Sequence, residues 1–238
     1  MTFSIRRVSA LVKKEAKDLS KNKNVLFMFL IPIILCLIFV RTFGDTEQLR
    51  EYTMNVTLNA NLMLVSGFII ATLIAEEKEK NTLRTLMLAA VSPLEFLTGK
   101  AIITLILSFV VNMLTYFIMG MKLPYIGHFI IITTLVVIWF IELGAVIGIL
   151  AENQASAGTI GMPFFMVIFL AGTLAKMNNI AGIAANFLPN YNMQILLGRI
   201  FTNEPLNINF AYNILVILLW IIIGAGIFVY AYKKKRLD

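Results

Sequence analysis

The sequence predicts an all-α integral membrane protein: six transmembrane helices, an amphipathic N-terminal interfacial helix and a short cytoplasmic helix between the second and third spans. Three observations predict this. Hydrophobic residues fill 59% of the 238 positions and charged ones only 14%, against about 45–50% and about 25% in a soluble domain, so most side chains need lipid as their solvent. Six apolar stretches are long enough to cross roughly 30 Å of hydrocarbon at about 1.5 Å per residue. The Lys and Arg residues gather on alternate sides of that ladder, which fixes its direction.

The elements follow in order. Residues 1–24 are read as the interfacial helix, with Ile5, Val8, Leu11, Val12, Ala16 and Leu19 at helical spacing and Arg6, Lys13, Lys14 and Lys17 largely elsewhere on the wheel. The other reading is a basic flank that serves topology alone. The spans run approximately over 25–43, 54–75, 101–119, 129–150, 158–174 and 210–232. Pro32 and Pro163 each remove a backbone hydrogen bond inside a span. Residues 76–100 form the one dense charged loop between spans, and 175–209 form a long segment between the last two. That segment is too apolar for a solvated loop and too broken for a seventh span. It is expected to be either re-entrant or an amphipathic stretch on the membrane surface.

Of the 20 Lys and Arg residues, fifteen stand before the first span, in the 76–100 loop or after the last span. Only Arg41, Arg50, Lys122, Lys176 and Arg199 stand on the other side. The positive-inside rule therefore places both termini in the cytoplasm. The net charge of +7 is spent on topology and on anionic membrane lipid, so nucleic acid is not the expected partner. Cys36 is the single cysteine; it lies inside the first span and is read as a small buried hydrophobe.

The 76–100 loop carries the most information. It opens on Glu76, Glu77, Lys78, Glu79 and Lys80, expected to stay solvated, and continues with Leu83, Leu86, Met87 and Ala90 at the spacing of one helical stripe. Ser92, Pro93 and Glu95 then supply an N-cap, a first-turn proline and a capping-box acid that launch the third span. A cytoplasmic helix with an exposed apolar stripe needs a partner.

On Glu76, Glu77, Asn81, Thr82, Leu83, Leu86, Pro93, Gly99 and Lys100, the chain resembles the permease subunits of type-2 ABC transporters, which are mostly exporters, and more loosely those of bacterial peptide and toxin exporters. Asn81 stands where glycine is commoner, a mild departure because both tolerate positive φ. The resemblance implies a bacterial plasma-membrane permease that pairs with a second six-span copy or a paralogue. It also implies two copies of a separate ATP-binding subunit, which bind ATP and Mg and dock on the loop and the N-terminal helix. The implied coupling residues are Glu76, Glu77, Thr82, Leu83, Leu86, Met87 and Pro93. Such exporters fold the segment before the last span into re-entrant helices, here expected over the dimer axis. The sequence fits the half without a motor: it holds no GxxxxGK[ST] loop, and its Gly99–Lys100 pair is followed by Ala101.

Polar groups inside the spans supply the candidate substrate path. Glu142 lies about eight residues from the cytoplasmic end of the fourth span, about 12 Å deep at helical rise. A carboxylate at such depth costs about 3 kcal/mol unless paired, protonated or wet. It is read equally as a path or gating residue and as a structural, neutral acid. Asn55 and Asn59 in the second span either face a cavity or knit helices together. Two other functions compete. An intramembrane hydrolase lacks its histidines, since the chain has one, His128. A secondary transporter with Glu142 as a proton-coupled site leaves the charged loop without a task. The substrate expected from the apolar interior is hydrophobic or amphipathic, with an amphipathic peptide as the narrow choice.

Overall fold

The computed structural model describes residues 3–19, 21–43, 47–82, 92–175, 179–202 and 208–235. Its helices are α1 (Ile5–Leu19), α2 (Lys23–Phe43), α3 (Glu47–Ala60), a π-helical stretch (Asn61–Ile69), α4 (Ile70–Glu79), α5 (Pro93–Ile118), α6 (Ile126–Leu150), α7 (Gln154–Leu174), α8 (Asn179–Ala185), α9 (Pro189–Phe201) and α10 (Ile208–Lys235). Among the described residues there is no strand. Among the described residues six helices are long and apolar enough to cross a membrane, and they match the six apolar stretches of the sequence. The second is longer than expected: α3, the π-helical stretch and α4 run on as one rod over Leu49–Glu79.

That rod is the centre of the bundle. The most apolar window of the rod is 83% buried, against 17% for the first span and 22% for the last. The rod packs against α6 on one side and α2 and α5 on the other, while α10 lies on the far side of α6. Close approach at the rod–α6 crossing depends on missing side chains. A Cβ added at Gly144 would stand 2.1 Å from the Gly67 carbonyl oxygen, and one at Gly148 would stand 2.7 Å from that of Ala71. The two backbones therefore touch through a GxxxG pair on α6, the pattern that brings membrane helices together by van der Waals contact.

Polar ties replace the hydrophobic effect between helices. In the π-helical stretch the Asn61 amide donates to the Asn112 side chain at 2.7 Å and to the Ser108 carbonyl at 3.1 Å, and the hydroxyls of Ser66 and Ser108 are 2.9 Å apart. These residues are fully buried or nearly so. Each bond is favoured because an unpaired polar group in hydrocarbon is costly. Trp139 meets the Trp220 ring at 5.4 Å and Glu142 faces Gly224. α10 therefore runs beside α6 in the same direction.

The described residues between 179 and 202 form two short helices, α8 and α9. α9 packs against α10, α6, α7 and α3, burying Pro189, Asn190, Asn192, Met193, Gln194, Leu196 and Leu197. It is a seated part of the bundle.

Candidate functional site

The densest ionic geometry is a junction of α1, α4 and α5, and the local sequence builds it from three short pieces. α5 starts at a capping box: Ser92 accepts from the Glu95 amide at 3.3 Å while Glu95 accepts from the Ser92 amide at 2.7 Å. The same Glu95 carboxylate accepts from the Ser4 amide at 2.6 Å and from the Arg7 guanidinium at 2.9 to 3.1 Å. The capping acid therefore also anchors α1, through a forked pair stronger than a neutral hydrogen bond. One turn further along α5, a Cβ at Gly99 would stand 3.0 Å from the Leu11 Cβ. Glycine there lets α1 lie directly on α5.

Lys100 follows, with only 2% of its side chain exposed. Its ammonium donates to Glu15 of α1 at 3.0 Å and to Glu77 of α4 at 3.3 Å, and stands 5.1 Å from the Phe96 ring centre. Glu77 also accepts from Lys14 of α1 at 2.9 Å and, through its second oxygen, from the Thr82 hydroxyl. One carboxylate thus joins three helices. Burial works against the charged form of Lys14, but the hydrogen bond and charge of Glu77, with Glu15 and Asp18, outweigh it and raise its pKa above the usual lysine value. A cleft of about 540 Å³ opens beside the junction, lined by residues that include Lys14, Asp18, Lys21, Lys23 and Glu76.

One expectation is corrected here. The Glu76–Lys80 run is only partly solvated: Glu79 and Lys80 are exposed, Glu76 and Lys78 half-buried and Glu77 buried. Glu77 is buried, Lys78 donates to the Ile149 carbonyl at 2.6 Å and to that of Ala151, and Glu79 accepts from the Gln154 amide at 3.1 Å. Glu76 pairs with Lys80 at the more exposed edge. The last turn of α4 thereby fastens α1, α5 and the α6–α7 connection, because helix ends leave carbonyls and amides that charged side chains satisfy. α1 has the amphipathic pattern expected of it and lies along α5: Val8, Leu11 and Leu19 are buried, Val12 is half-buried, and Ile5 and Ala16 are exposed.

Of the other residues read from the sequence, Asn81 adopts φ 54°, the left-handed conformation foreseen for it. Pro93 begins α5. Leu83, Leu86 and Met87 lie outside the described residues. Asn59 is a helix tie: it accepts from the Asn190 amide of α9 at 2.8 Å and donates to the Asn55 carbonyl at 2.7 Å. Asn55, beyond that carbonyl contact, lines a cavity between α3, α7 and α9. Glu142 is far from the junction, on the α6 face that meets α10. A Cβ at Gly224 would lie 2.4 Å from its Oε2, and among the described residues that buried oxygen has no hydrogen-bond partner.

Sequence reasoning missed Glu15, Asn190 and Gln194. Glu15 had a signal, since it is an acid at i+4 from Leu11 on the apolar face of α1. Asn190 and Gln194 had the same i, i+4 spacing on α9.

No curated protein matches the chain. A family model does, over residues 40–230, and its description is ABC-2 family transporter protein. The match takes in α4, α5 and the charged loop between them, the side of the junction on which the motif residues lie, and begins beyond α1. With six apolar helices among the described residues, one of them the central rod, and most of its length matched, the chain belongs to the ABC-2 family of transporter proteins, membrane transport subunits that generally work with an ATP-binding subunit.

Proposed function

We propose that this chain is the membrane-crossing half of an ATP-driven exporter in the bacterial plasma membrane, both termini cytoplasmic, moving an amphipathic substrate outward. Two such chains, or this one and a paralogue, work with two copies of an ATP-binding subunit that supplies ATP and Mg. The observation that carries the reading is the junction at Glu77. It joins α1, the charged loop and the central rod at one end of the bundle, beside the residues that resemble the family's docking loop. A push on the loop or on α1 reaches the rod through Lys100 and Lys14, and through Lys78 and Glu79 it reaches α6 and α7.

ATP binding shifts the bundle between inward and outward arrangements only insofar as the docked subunits contact those two states differently. Glu76, Glu77, Thr82, Leu83, Leu86, Met87 and Pro93 are the proposed coupling residues. The test is co-purification from the native membrane, followed by reconstitution with the ATPase that comes with the chain. Leu83→Asp and Leu86→Asp are expected to insert normally yet separate ATP turnover from transport. Tight coupling in those variants counts against the docking assignment. Transport by the isolated chain in liposomes, with no nucleotide, removes the reading altogether.

The second reading, a secondary transporter, has one observation in its favour: the unpaired buried oxygen of Glu142 against Gly224. It predicts that a proton gradient drives uptake or efflux and that Glu142→Gln abolishes it. The exporter reading predicts ATP-dependent transport that survives Glu142→Gln.

A further inference from the structure

A cavity of about 430 Å³ lies where α8, α9 and α10 meet. Lys78 holds the last carbonyls of α6 at the Glu77 end of the bundle, and α10 runs parallel to α6, so this first turn of α10 stands at the opposite end. Much of the cavity wall is apolar and turned outward: Ile183 is 65% exposed, Phe187 61% and Tyr212 44%. Asn213 lines the same cavity, yet it is only 4% exposed, and among the described residues its Nδ2 has no hydrogen-bond partner. The last span begins at Phe210, which puts Tyr212 and Asn213 about 3–5 Å inside it at helical rise. Deeper along the same helix the Trp220 indole donates to the Phe187 carbonyl and fixes the turn after α8 against α10. The cavity therefore opens where headgroups give way to hydrocarbon. An amide N–H without a partner is costly at that level, so the cavity's occupant should bring an acceptor.

We propose that this cavity holds one diacyl lipid of the surrounding leaflet, with a glycerol ester carbonyl accepting from Asn213 and the adjoining acyl chain covering Ile183, Phe187 and Ile195. The chemistry selects this ligand because the spare group is a neutral donor set in an apolar wall at the membrane boundary, where an ester carbonyl is an acceptor without a proton of its own to satisfy. A peptide amide would press its N–H against the same apolar wall, where it needs a second partner. Arg199 also lines the cavity but has an interaction of its own within the chain, so the selection falls to Asn213. The lipid fills the gap between α8 and α10 and stiffens the seat of α9. Its binding is a property of the isolated chain and stands apart from the export reading.

The test uses the purified full chain in detergent micelles without any ATPase, and two probes: dioleoylphosphatidylglycerol and its diether analogue, which keeps headgroup and chains but lacks both carbonyls. Native mass spectrometry reads the lipid retained. One diester lipid per chain is expected, bound about tenfold more tightly than the diether, the worth of one hydrogen bond out of water. Asn213→Leu should bring the diester down to the diether level, with the melting midpoint in lipid-free detergent unchanged or higher. Ile183→Asp changes an exposed position and puts a charge on the apolar wall; it should weaken both lipids, and it keeps the proposal open to refutation if Asn213→Leu does not fold. Equal retention of diester and diether by the unaltered chain overturns the proposal, since a lipid held by its phosphate or by chains alone gives that result. A preference that survives Asn213→Leu, or no retained lipid at all, overturns it too. Displacement of the diester by an equimolar acetylated dipeptide amide assigns the cavity to a peptide instead.

Discussion

Lys100 shows what a single residue contributes. Its ammonium is out of water and is matched by Glu15 and Glu77, whose side chains are 5% and 9% exposed. A buried pair of this kind adds little net stability over an apolar replacement of the whole set, but removal of one partner strands the others. Lys100→Met is therefore expected to destabilise the protein by about 3–5 kcal/mol, read as a lowered melting midpoint in detergent. Adding Glu15→Gln should restore part of the loss; an additive or larger loss would show that the two are not coupled. Lys14 gives a pH arm to the same junction. Its pKa is raised in the fold, so its contribution is complete below the unfolded lysine value of about 10.4 and is lost as pH rises through the higher folded value. Protease protection of α1 should hold up to about pH 10 and fall above that; loss of protection near neutrality would contradict this pairing.

At the scale of elements, the crossing of α6 over the π-helical stretch decides where everything else sits. Gly144 has no space for a methyl group, since the obstacle is the Gly67 backbone and not the tip of a mobile side chain. Gly144→Ala is expected to cost about 1–3 kcal/mol or more, the range for overpacking. Gly226→Ala on α10, where a Cβ meets nothing within 4 Å, should be neutral or stabilising by up to about 1 kcal/mol. Equal melting midpoints for the two variants would remove the backbone-contact argument. The π-helical stretch belongs to the same contact. Its wider turn carries Asn61 and Ser66 toward α5 and Gly67 toward α6 within one span, and π-turns inside α-helices are frequent at functional positions. Hydrophobic periodicity was blind to this, because every residue of Asn61–Ile69 fits an ordinary spanning helix.

At the scale of the whole molecule, the spans divide into a buried rod with α6 beside it and a periphery of α2, α7 and α10 with large exposed apolar faces. Leu215, Leu218, Leu219, Ile222 and Ile223 on α10 are examples. That periphery presents its apolar faces outward, as side chains in contact with lipid do. The fold also offers a direct test of direction. Cys36 is buried, with 0% exposure, so a Cys36→Ala background is expected to fold and to accept single cysteines elsewhere. Asn186→Cys, beyond α8, should react with a membrane-impermeant maleimide on intact cells. Lys13→Cys, on the exposed face of α1, should react only after permeabilisation. The opposite pattern would invert the topology and with it the placing of the ATP-binding subunits.

How far the sequence reached can be argued from particular residues. The six spans, the capping box of Ser92 and Glu95 and the left-handed Asn81 were legible because each depends on composition or on neighbours within four residues along the chain. The same locality explains what was misread. Glu77 looked like one of five solvated charges, and only the approach of Lys14 and Lys100, distant in sequence, turns it inward. The N-terminal stripe was legible as amphipathic, but not that Gly99 lets α5 lie against Leu11 on it. Asn59 and Asn55 were indistinguishable as letters, yet Asn190 claims the first and leaves the second on a cavity with Gln194. The sequence by itself determined that the chain is a membrane protein and which six stretches are long and apolar enough to cross. The tertiary structure alone decided which polar groups hold helices together and which, among the described residues, stay unpaired. In a medium without water, a polar side chain's role depends on which partner comes within about 3 Å, and that is set by packing between residues far apart in the sequence.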